Sequence, residues 1–427
     1  MSPAEPASAH DTSAVPPLSD VQLLWLGLFF AVHLSFYASA LVTDHLRYLY
    51  PQGEIQQIKT LDYSQVPNGA ATFFEGGPTV GVPRDYPVLP NVYHPVFTIV
   101  VGGLLQLFSI QAGFTLYALA KLAITVALFS QLKRHYRASP HFLFAAFAML
   151  CHFSQGVEIG SGQYHFLLNV CIYFFLFGIV THRHQAYLSF WCTVSLFVKP
   201  IALLWMPVLL MRKSILVVAF AICLFAGLTG GYYWVSGDER HYLDNLLRQF
   251  TTSGVETGLP RYSLIGILWY CGADLTLTQV IKYACAVGLL AVSFRTRDSV
   301  LIGLFVWVGY YLLLYRLVFE YQYTSLIPFF VFGVLTHPEF QGRFAKFCIV
   351  LACLPPPYAL FKMFGLFPYA AGQWTRDVAA VDPSRNLSDT GMFVLMCLKV
   401  LPAFALLVYV VWQHERLRSA ETNLASA

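Results

Sequence analysis

A lysine and a proline stand side by side inside the apolar run 186–211 of this 427-residue chain. A lysine at the centre of a membrane helix costs about 3 kcal/mol on insertion scales, and a proline removes a backbone hydrogen bond that lipid cannot replace. Because Pro200 suits the first position of a helix, the pair predicts two half-helices that meet at Lys199. The free backbone donors of the second half-helix and the Lys199 ammonium predict an anion site. The alternative is that Lys199 reaches the lipid headgroups and Pro200 only turns the chain.

A second candidate for chemistry is the carboxylate of Asp62, which begins the polar segment 62–77. The small residues 69–71 predict a helical turn in this segment, and the glycine pair 76–77 ends it. A carboxylate close to an anion site can act as the general base that takes a proton from an incoming hydroxyl. The alternative is a solvated aspartate in a loop.

Two further side chains lie at polar interruptions of the apolar sequence. Gln163 follows Gly162 at the start of an apolar run, and its amide offers two donors and an acceptor. The alternative for this Gly-Gln pair is a helix cap. His94 and Pro95 open the apolar segment 93–111, which makes His94 a candidate for substrate binding.

The composition sets the class of protein that must position these groups. The chain is 57% hydrophobic and only 11% charged, whereas soluble domains carry about a quarter charged residues. It is therefore expected to be an all-α, polytopic membrane protein. No basic tract indicates a nucleic-acid partner, and the nine cysteines lie mostly in apolar runs, which favours neither a disulfide framework nor a metal site.

Stretches that approach the roughly 20 apolar residues needed to cross the hydrocarbon core occur along the whole chain. They lie at 21–42, 113–132, 140–153, 163–181, 186–211, 214–235, 277–294, 299–316, 322–336, 344–363 and 391–412. Short basic clusters separate many of them, at 133–137, 182–184, 212–213, 295–297, 343–346 and 416–418. These clusters fix the predicted topology.

If all the basic clusters are cytoplasmic, as the positive-inside rule predicts, then the segment 93–111 does not cross the membrane. The run 186–211 then crosses the membrane outward and returns to the cytoplasmic side. About twelve membrane passes result, with long extracytoplasmic loops and 93–111 as a short helix at the outer interface. The predicted organisation is a single membrane domain, 21–412, between a disordered cytoplasmic tail, 1–20, and a second cytoplasmic tail, 413–427. Most of the acidic residues then lie outside, so the site is expected to face the extracytoplasmic side of the cell membrane.

The order of these motifs resembles glycosyltransferase family 87, a family of membrane glycosyltransferases with the GT-C fold. The order is an aspartate followed by Ala-Ala and Gly-Gly, an aromatic-proline run before an apolar helix, Gly-Gln opening a span, and Lys-Pro between two short helices. The segment 316–328, RLVFEYQYTSLIP, resembles a late motif of the family. The resemblance covers the chain from about Asp62 to Pro328.

The resemblance implies a GT-C-type enzyme that transfers a hexose, expected to be mannose, from a polyprenyl-phosphate donor to a lipid or glycan acceptor, with inversion. Asp62 matches the family's general base, Gln163 its Gly-Gln glutamine, and Lys199 the lysine expected near the donor phosphate. Glu320 and Tyr323 match the late motif. No cofactor is implied.

The chain departs from the family pattern at three places. Asp62 lies about twenty residues beyond the first span, which leaves Asp44 as a rival base. Tyr321 and Gln322 stand where relatives have two histidines, and residues 260–264 stand where relatives often have Asn-Gln-Ser-Leu. These departures bear on acceptor specificity and on activity itself.

Two arginines are further candidates for the donor phosphate, because positive charge stabilises a leaving phosphate. They are Arg261 and Arg316. Arg316 also lies four residues before Glu320, so the alternative for these two is an ion pair within one helix.

Three alternatives to this assignment remain open. Glu54, Glu75 and Asp85 are joint candidates for a divalent metal site. The broken helix at Lys199 is also typical of transporters, so the alternative function is a transporter or flippase of a lipid-linked sugar. A non-catalytic assembly subunit is a third reading. The halves of the chain do not repeat the motifs, which favours an enzyme over a transporter.

Overall fold

The computed structural model describes residues 17–43, 58–79, 91, 93–212, 214–236, 242, 244, 262–315, 318, 320–354 and 389–426. These residues form helices and their connections, with no strand among them. Within these described ranges, six helical stretches are long and apolar enough to cross a membrane: Asp20–Val42, Ile110–Tyr136, Phe142–Ser161, Ile215–Ser236, Thr276–Arg295 and Cys397–Asn423. The chain is therefore a helical membrane protein.

The helices of the first half are α1 (Asp20–Ala38), α2 (Ile58–Phe74), α3 (Pro95–Leu105), α4 (Ile110–Tyr136), α5 (Phe142–Leu150), α6 (Ser154–Ser161), α7 (His165–Val180), α8 (Gln185–Val198) and α9 (Pro200–Met211). Those of the second half are α10 (Ile215–Ser236), α11 (Leu264–Tyr270), α12 (Leu275–Arg295), α13 (Val300–Leu314), α14 (Ile327–Thr336), α15 (Pro338–Gln341), α16 (Arg343–Cys353) and α17 (Asp389–Ser426). A 3-10 helix, Glu320–Leu326, precedes α14, and α9 itself begins as a 3-10 helix, Pro200–Trp205.

Several predicted spans appear as long helices, and others are shorter than predicted. The stretches 113–132 and 277–294 lie within α4 and α12, and all of 214–235 except Ser214 lies within α10. By contrast, α7 has 16 residues, so it is only about 24 Å long at 1.5 Å per residue. α17 continues to Ser426, so most of the predicted tail 413–427 is helical.

Four of the basic clusters meet at one end of the bundle. The Arg212 guanidinium donates to the Asp298 carbonyl, and Arg418 donates to the Arg295 carbonyl at 2.6 Å. The His414 ring lies 2.7 Å from the Glu339 carboxylate and 3.0 Å from that of Asp298. Since α16 starts next to Glu339, its cluster 343–346 lies there too. We call this region the basic end.

The run 186–211 is broken at Lys199, as predicted. α8 ends at Val198, Lys199 is extended with φ −152° and ψ 131°, and Pro200 starts α9. Leu188 near the start of α8 and Leu209 near the end of α9 line the same cavity, although 21 positions separate them. The chain therefore leaves the basic end along α8 and returns to it along α9, with Lys199 at the turn.

α2 and α3 pack so closely that one glycine sits between their backbones. A Cβ atom on Gly102 would lie 2.4 Å from the Val66 carbonyl oxygen and 2.8 Å from the Ala70 Cβ atom. α3 is bulged at this point, since Thr98–Gly102 is a π-helix. Gln106, just beyond α3, also donates to the Pro67 carbonyl at 2.9 Å. α3 thus supports the middle of α2.

Gly102→Ala should therefore displace α2, because the Val66 contact is with backbone that cannot rotate away. We expect a loss of about 2–4 kcal/mol in stability, the range of severe packing defects. Gly103→Ala is the matched control, since its Cβ would meet only the Phe74 ring at 3.3 Å, and Phe74 is an exposed side chain that can move. Thermal denaturation of the two purified variants measures the difference, and equal midpoints would contradict the close packing.

Candidate functional site

Asp62 is held in place by its neighbour Tyr63 and by a proline in the middle of α2. Pro67 has no amide hydrogen, so the carbonyl of Tyr63, four residues earlier, loses its helical partner. The Tyr164 hydroxyl donates to that carbonyl at 2.9 Å, and the two tyrosine rings stack with centroids 6.0 Å apart. Tyr63 is fully buried. The first half of α2 is therefore anchored to the segment that follows Gly162.

The Gly-Gln pair is both a helix cap and a site element. Gly162 ends α6 with φ 71°, a left-handed conformation that favours glycine, and Gln163 donates its backbone N–H to the Glu158 carbonyl at 3.1 Å. A Cβ on Gly162 would lie 2.6 Å from the Tyr63 Cβ. The glycine therefore permits both the turn and the approach of α2, and the approach brings Gln163 to Asp62.

The Gln163 amide connects Asp62 to an aromatic side chain. Its Oε1 atom accepts a hydrogen bond from the Tyr93 hydroxyl at 3.0 Å, which leaves the amide nitrogen to donate to the Asp62 carboxylate. Gln65 donates to the same carboxylate at 2.9 Å. Burial raises the pKa of Asp62 to about 6, although the Gln163 hydrogen bond and the positive charge of Lys199 act to lower it. A carboxylate with this pKa is suited to proton transfer near neutral pH.

Lys199 faces this carboxylate from the break between α8 and α9. Its Nζ atom lies 5.1 Å from the ring centroid of Tyr321 and 5.7 Å from that of Tyr93. Among the described residues, the half-buried ammonium has no protein hydrogen-bond acceptor. Its donors are therefore available to an anionic ligand, as the anion-site hypothesis requires.

Two charged residues join the group that sequence reasoning had not placed there. Glu158 on α6 is buried and interacts electrostatically with both Lys121 and Lys199. Its Oε1 atom has no hydrogen-bond partner among the described residues. The Lys121 ammonium is buried beneath it and donates to the Gln163 carbonyl at 2.8 Å. The sequence around Glu158 does not predict that it is buried, because its burial depends on how α2, α4 and α6 pack.

In the late motif, Tyr321 lies beside Lys199, whereas the two predicted residues, Glu320 and Tyr323, do not. Tyr323 donates its hydroxyl to the Tyr262 carbonyl at 2.7 Å, and Glu320 pairs with Lys399 at 2.7 Å, so both face away from Asp62. Tyr321 lies over Lys199 instead. The reason is the 3-10 geometry of Glu320–Leu326, in which residues three apart share a face. Positions 320 and 323 lie on one face, and 321 lies on the other.

Glu320 forms a buried ion pair with Lys399 of α17, and its predicted pairing with Arg316 stays a prediction because Arg316 lies outside the described residues. The Lys399 ammonium also donates to the Ala352 carbonyl at 2.9 Å, and Ser154 donates to the Glu320 carboxylate at 2.6 Å. Both charged side chains are buried. The pair therefore joins the late motif to α6, α16 and α17.

Lys399→Met should leave the Glu320 carboxylate buried without its cation and destabilise the protein by about 3–5 kcal/mol. The double variant Lys399→Met/Glu320→Gln should recover most of that loss, because the glutamine is neutral and still accepts from Ser154. Thermal denaturation of the single and double variants tests the pair. A double variant no more stable than Lys399→Met would argue against it.

His94 makes structural contacts with two other elements, and its predicted role as a substrate contact stays a prediction. Its Nδ1 atom accepts from the Val96 N–H at 3.1 Å, so the neutral ring carries its proton on Nε2 and donates to Thr229 at 2.8 Å. Burial lowers the pKa of His94 to about 3, which keeps the ring neutral. With both nitrogens used, His94 caps α3 and joins it to α10.

Other candidates from the sequence lie outside the described residues. They are Asp44, Arg261 and Arg316, and two of the three possible metal ligands, Glu54 and Asp85. Glu75 is described and exposed. Among the described residues no group of three His, Cys, Asp or Glu side chains could hold a metal. The rival base and the metal hypothesis stay predictions.

The fold and the site together define a helical membrane protein with a polar, partly buried group of two carboxylates and two lysines. The chain matches no protein-family model. It also has no significant match among curated proteins. The resemblance to glycosyltransferase family 87 therefore depends on the short motifs and on their geometry.

Proposed function

We propose that this chain is a GT-C-type membrane glycosyltransferase that transfers a hexose, expected to be mannose, from a polyprenyl-phosphate donor to a lipid or glycan acceptor. The observation that carries the proposal is the meeting of Asp62, Gln163 and Lys199. The three lie in separate stretches of the sequence and form one group in the structure, around an ammonium that has no hydrogen-bond acceptor among the described residues. A general base beside an anion site is what transfer from a lipid phosphate requires.

In the proposed reaction the acceptor hydroxyl gives its proton to the Asp62 carboxylate. The acceptor oxygen forms a bond to the anomeric carbon of the sugar from the face opposite the phosphate. The bond between that carbon and the phosphate oxygen breaks, and its electron pair leaves with the polyprenyl phosphate. Lys199 stabilises the negative charge that grows on the leaving phosphate. A single displacement of this kind inverts the anomeric centre.

The remaining groups fit a polyhydroxyl substrate. Gln163 and Gln65 both donate to Asp62, which holds the carboxylate in one orientation. The Glu158 oxygen that has no hydrogen-bond partner among the described residues can accept a hydrogen bond from a sugar hydroxyl. The rings of Tyr93 and Tyr321 flank Lys199 and offer apolar faces to the sugar. Tyr321 occupies the position of a histidine in relatives, so it is proposed to take part in acceptor selection.

The proposed orientation follows from the distribution of charge. The turn at Lys199 lies away from the basic end, so a cytoplasmic basic end places the site near the extracytoplasmic surface of the cell membrane. Together with the six long helices, the shorter helices α7, α8, α9, α13, α14 and α16 make up the proposed GT-C fold of about twelve passes, and α3 is proposed to lie at the outer interface. The polyprenyl tail would then remain in the bilayer while its phosphate reaches Lys199.

The test is transfer by the purified chain in lipid nanodiscs. Radiolabelled polyprenyl-phosphomannose is supplied together with a total membrane lipid extract as the source of acceptors. We expect a new labelled glycolipid and an equal amount of released polyprenyl phosphate. In a parallel assay with the chain reconstituted in sealed vesicles, movement of the labelled donor across the bilayer without a new glycosidic bond would instead identify a transporter.

A further inference from the structure

The basic end contains a cavity that the proposed reaction does not use. It has a volume of about 290 Å³ and lies between the α7–α8 connection and the α9–α10 connection. A water molecule occupies about 30 Å³ in the liquid, so the cavity has room for a group the size of a lipid headgroup. Because Lys199 lies at the opposite end of α8, the cavity is separate from the candidate active site.

The cavity walls are divided by polarity. The floor is apolar and consists mainly of Phe175, Leu209 and Val217, all of which are buried. The rim carries His182, Arg183 and Ser214, and the first two side chains are exposed. An amphipathic ligand with an apolar part and an anionic head matches this division.

The local backbone directs the two basic side chains to the rim. α7 ends with His182 in the left-handed conformation at φ 52°, and Arg183 donates its backbone N–H to the Gly178 carbonyl at 2.8 Å. This arrangement is a Schellman cap, in which glycine is the usual residue at the left-handed position. The tight connection is possible because Gly178 has no side chain, since a Cβ there would lie 2.7 Å from the Tyr187 ring.

The charge of Arg183 is not used within the described part of the protein. Its guanidinium makes no hydrogen bond to another described residue, although it interacts electrostatically with Tyr187. By contrast, the Arg212 guanidinium at the same end donates to the Asp298 carbonyl. Arg183 is therefore free to bind an anion above an apolar floor.

We propose that this cavity binds an anionic phospholipid of the surrounding bilayer, with the phosphate at Arg183, His182 and Ser214 and part of an acyl chain along the apolar floor. Basic pockets between membrane helices on the cytoplasmic side are where anionic headgroups bind. The bound lipid joins the connections at both ends of the α8–α9 pair. It thereby supports the base of the hairpin whose tip is Lys199.

The test compares phosphatidylglycerol with phosphatidylcholine, each added to the full chain in detergent. Phosphatidylglycerol should raise the thermal-denaturation midpoint more than phosphatidylcholine does, and native mass spectrometry should show it retained. Arg183→Gln should weaken phosphatidylglycerol binding about five- to tenfold, the value of one arginine near an anionic lipid. Arg134→Gln is the matched control, since it removes another exposed arginine, from the last turn of α4.

A second variant tests the apolar floor. Leu188→Trp should fill the cavity and reduce lipid retention while the basic rim stays intact. Equal effects of the two lipids, equal binding by the Arg183 and Arg134 variants, or stabilisation by inorganic phosphate alone would each overturn the proposal. Since Arg183 is exposed, its replacement is not expected to unfold the protein. The lipid readouts need no sugar donor, so they are independent of the proposed enzymatic function.

Discussion

Replacing Asp62 by asparagine should lower the rate of sugar transfer by about 10²- to 10⁴-fold, the usual contribution of a general base. Asparagine has the same shape, still accepts from Gln65, and leaves the contacts of Tyr63 and Pro67 in place. The donor KM should therefore change little while kcat falls. Steady-state rates with radiolabelled polyprenyl-phosphomannose measure both constants.

The control for this variant is Glu75→Gln, which removes an exposed carboxylate just beyond the end of the same helix. It should retain nearly full activity. If Asp62→Asn is as active as the wild type, Asp62 is not the base, and Asp44→Asn becomes the decisive variant. A large loss in Glu75→Gln would instead favour the metal hypothesis.

The pH dependence of the wild type gives an independent check on the base. A base must be deprotonated to accept a proton, and burial raises the pKa of Asp62 to about 6. We therefore expect kcat/KM to fall about tenfold for each pH unit below 6 and to level off above that pH. The measurement is a pH–rate profile for a single donor and acceptor. A flat profile between pH 5 and 8 would argue against Asp62.

The sequence was informative where local chemistry dictates the backbone. Pro200 cannot continue a helix, and the predicted break at Lys199 is present. Gly162 permits both the left-handed turn and the approach to Tyr63. Residues beside such positions, including Gln163, are placed by backbone constraints that a reader of the sequence can recognise.

Sequence reasoning failed where packing decides which way a side chain points. The late motif gives no local indication that Glu320–Leu326 is a 3-10 helix, so the sequence points to Tyr323, whereas Tyr321 is the residue that lies over Lys199. The predicted topology places most acidic residues outside the membrane and does not indicate that tertiary contacts bury Glu158 beside Lys121. The partner of Lys399 could not be named in advance, because Glu320 lies far away along the chain.

Lys199→Met should reduce kcat by about 10²- to 10³-fold, the cost of removing one group that stabilises charge in the transition state. Methionine keeps the length and the apolar contact with Tyr93 and Tyr321 but cannot donate to the leaving phosphate. Arginine at the same position should retain part of the activity, because it keeps the charge but changes the geometry of its donors.

The pH profile of this variant distinguishes a site residue from a structural one. Lys199 acts to lower the pKa of Asp62, so its removal should raise that pKa above about 6 and move the acid limb of kcat/KM to higher pH. Lys282→Met is the matched control, since that ammonium lies over Tyr315 and should leave the limb in place. If the acid limb of kcat/KM in Lys199→Met lies at the same pH as in the wild type, Lys199 does not influence the pKa of Asp62. The single site on which the glycosyltransferase proposal depends would then not exist.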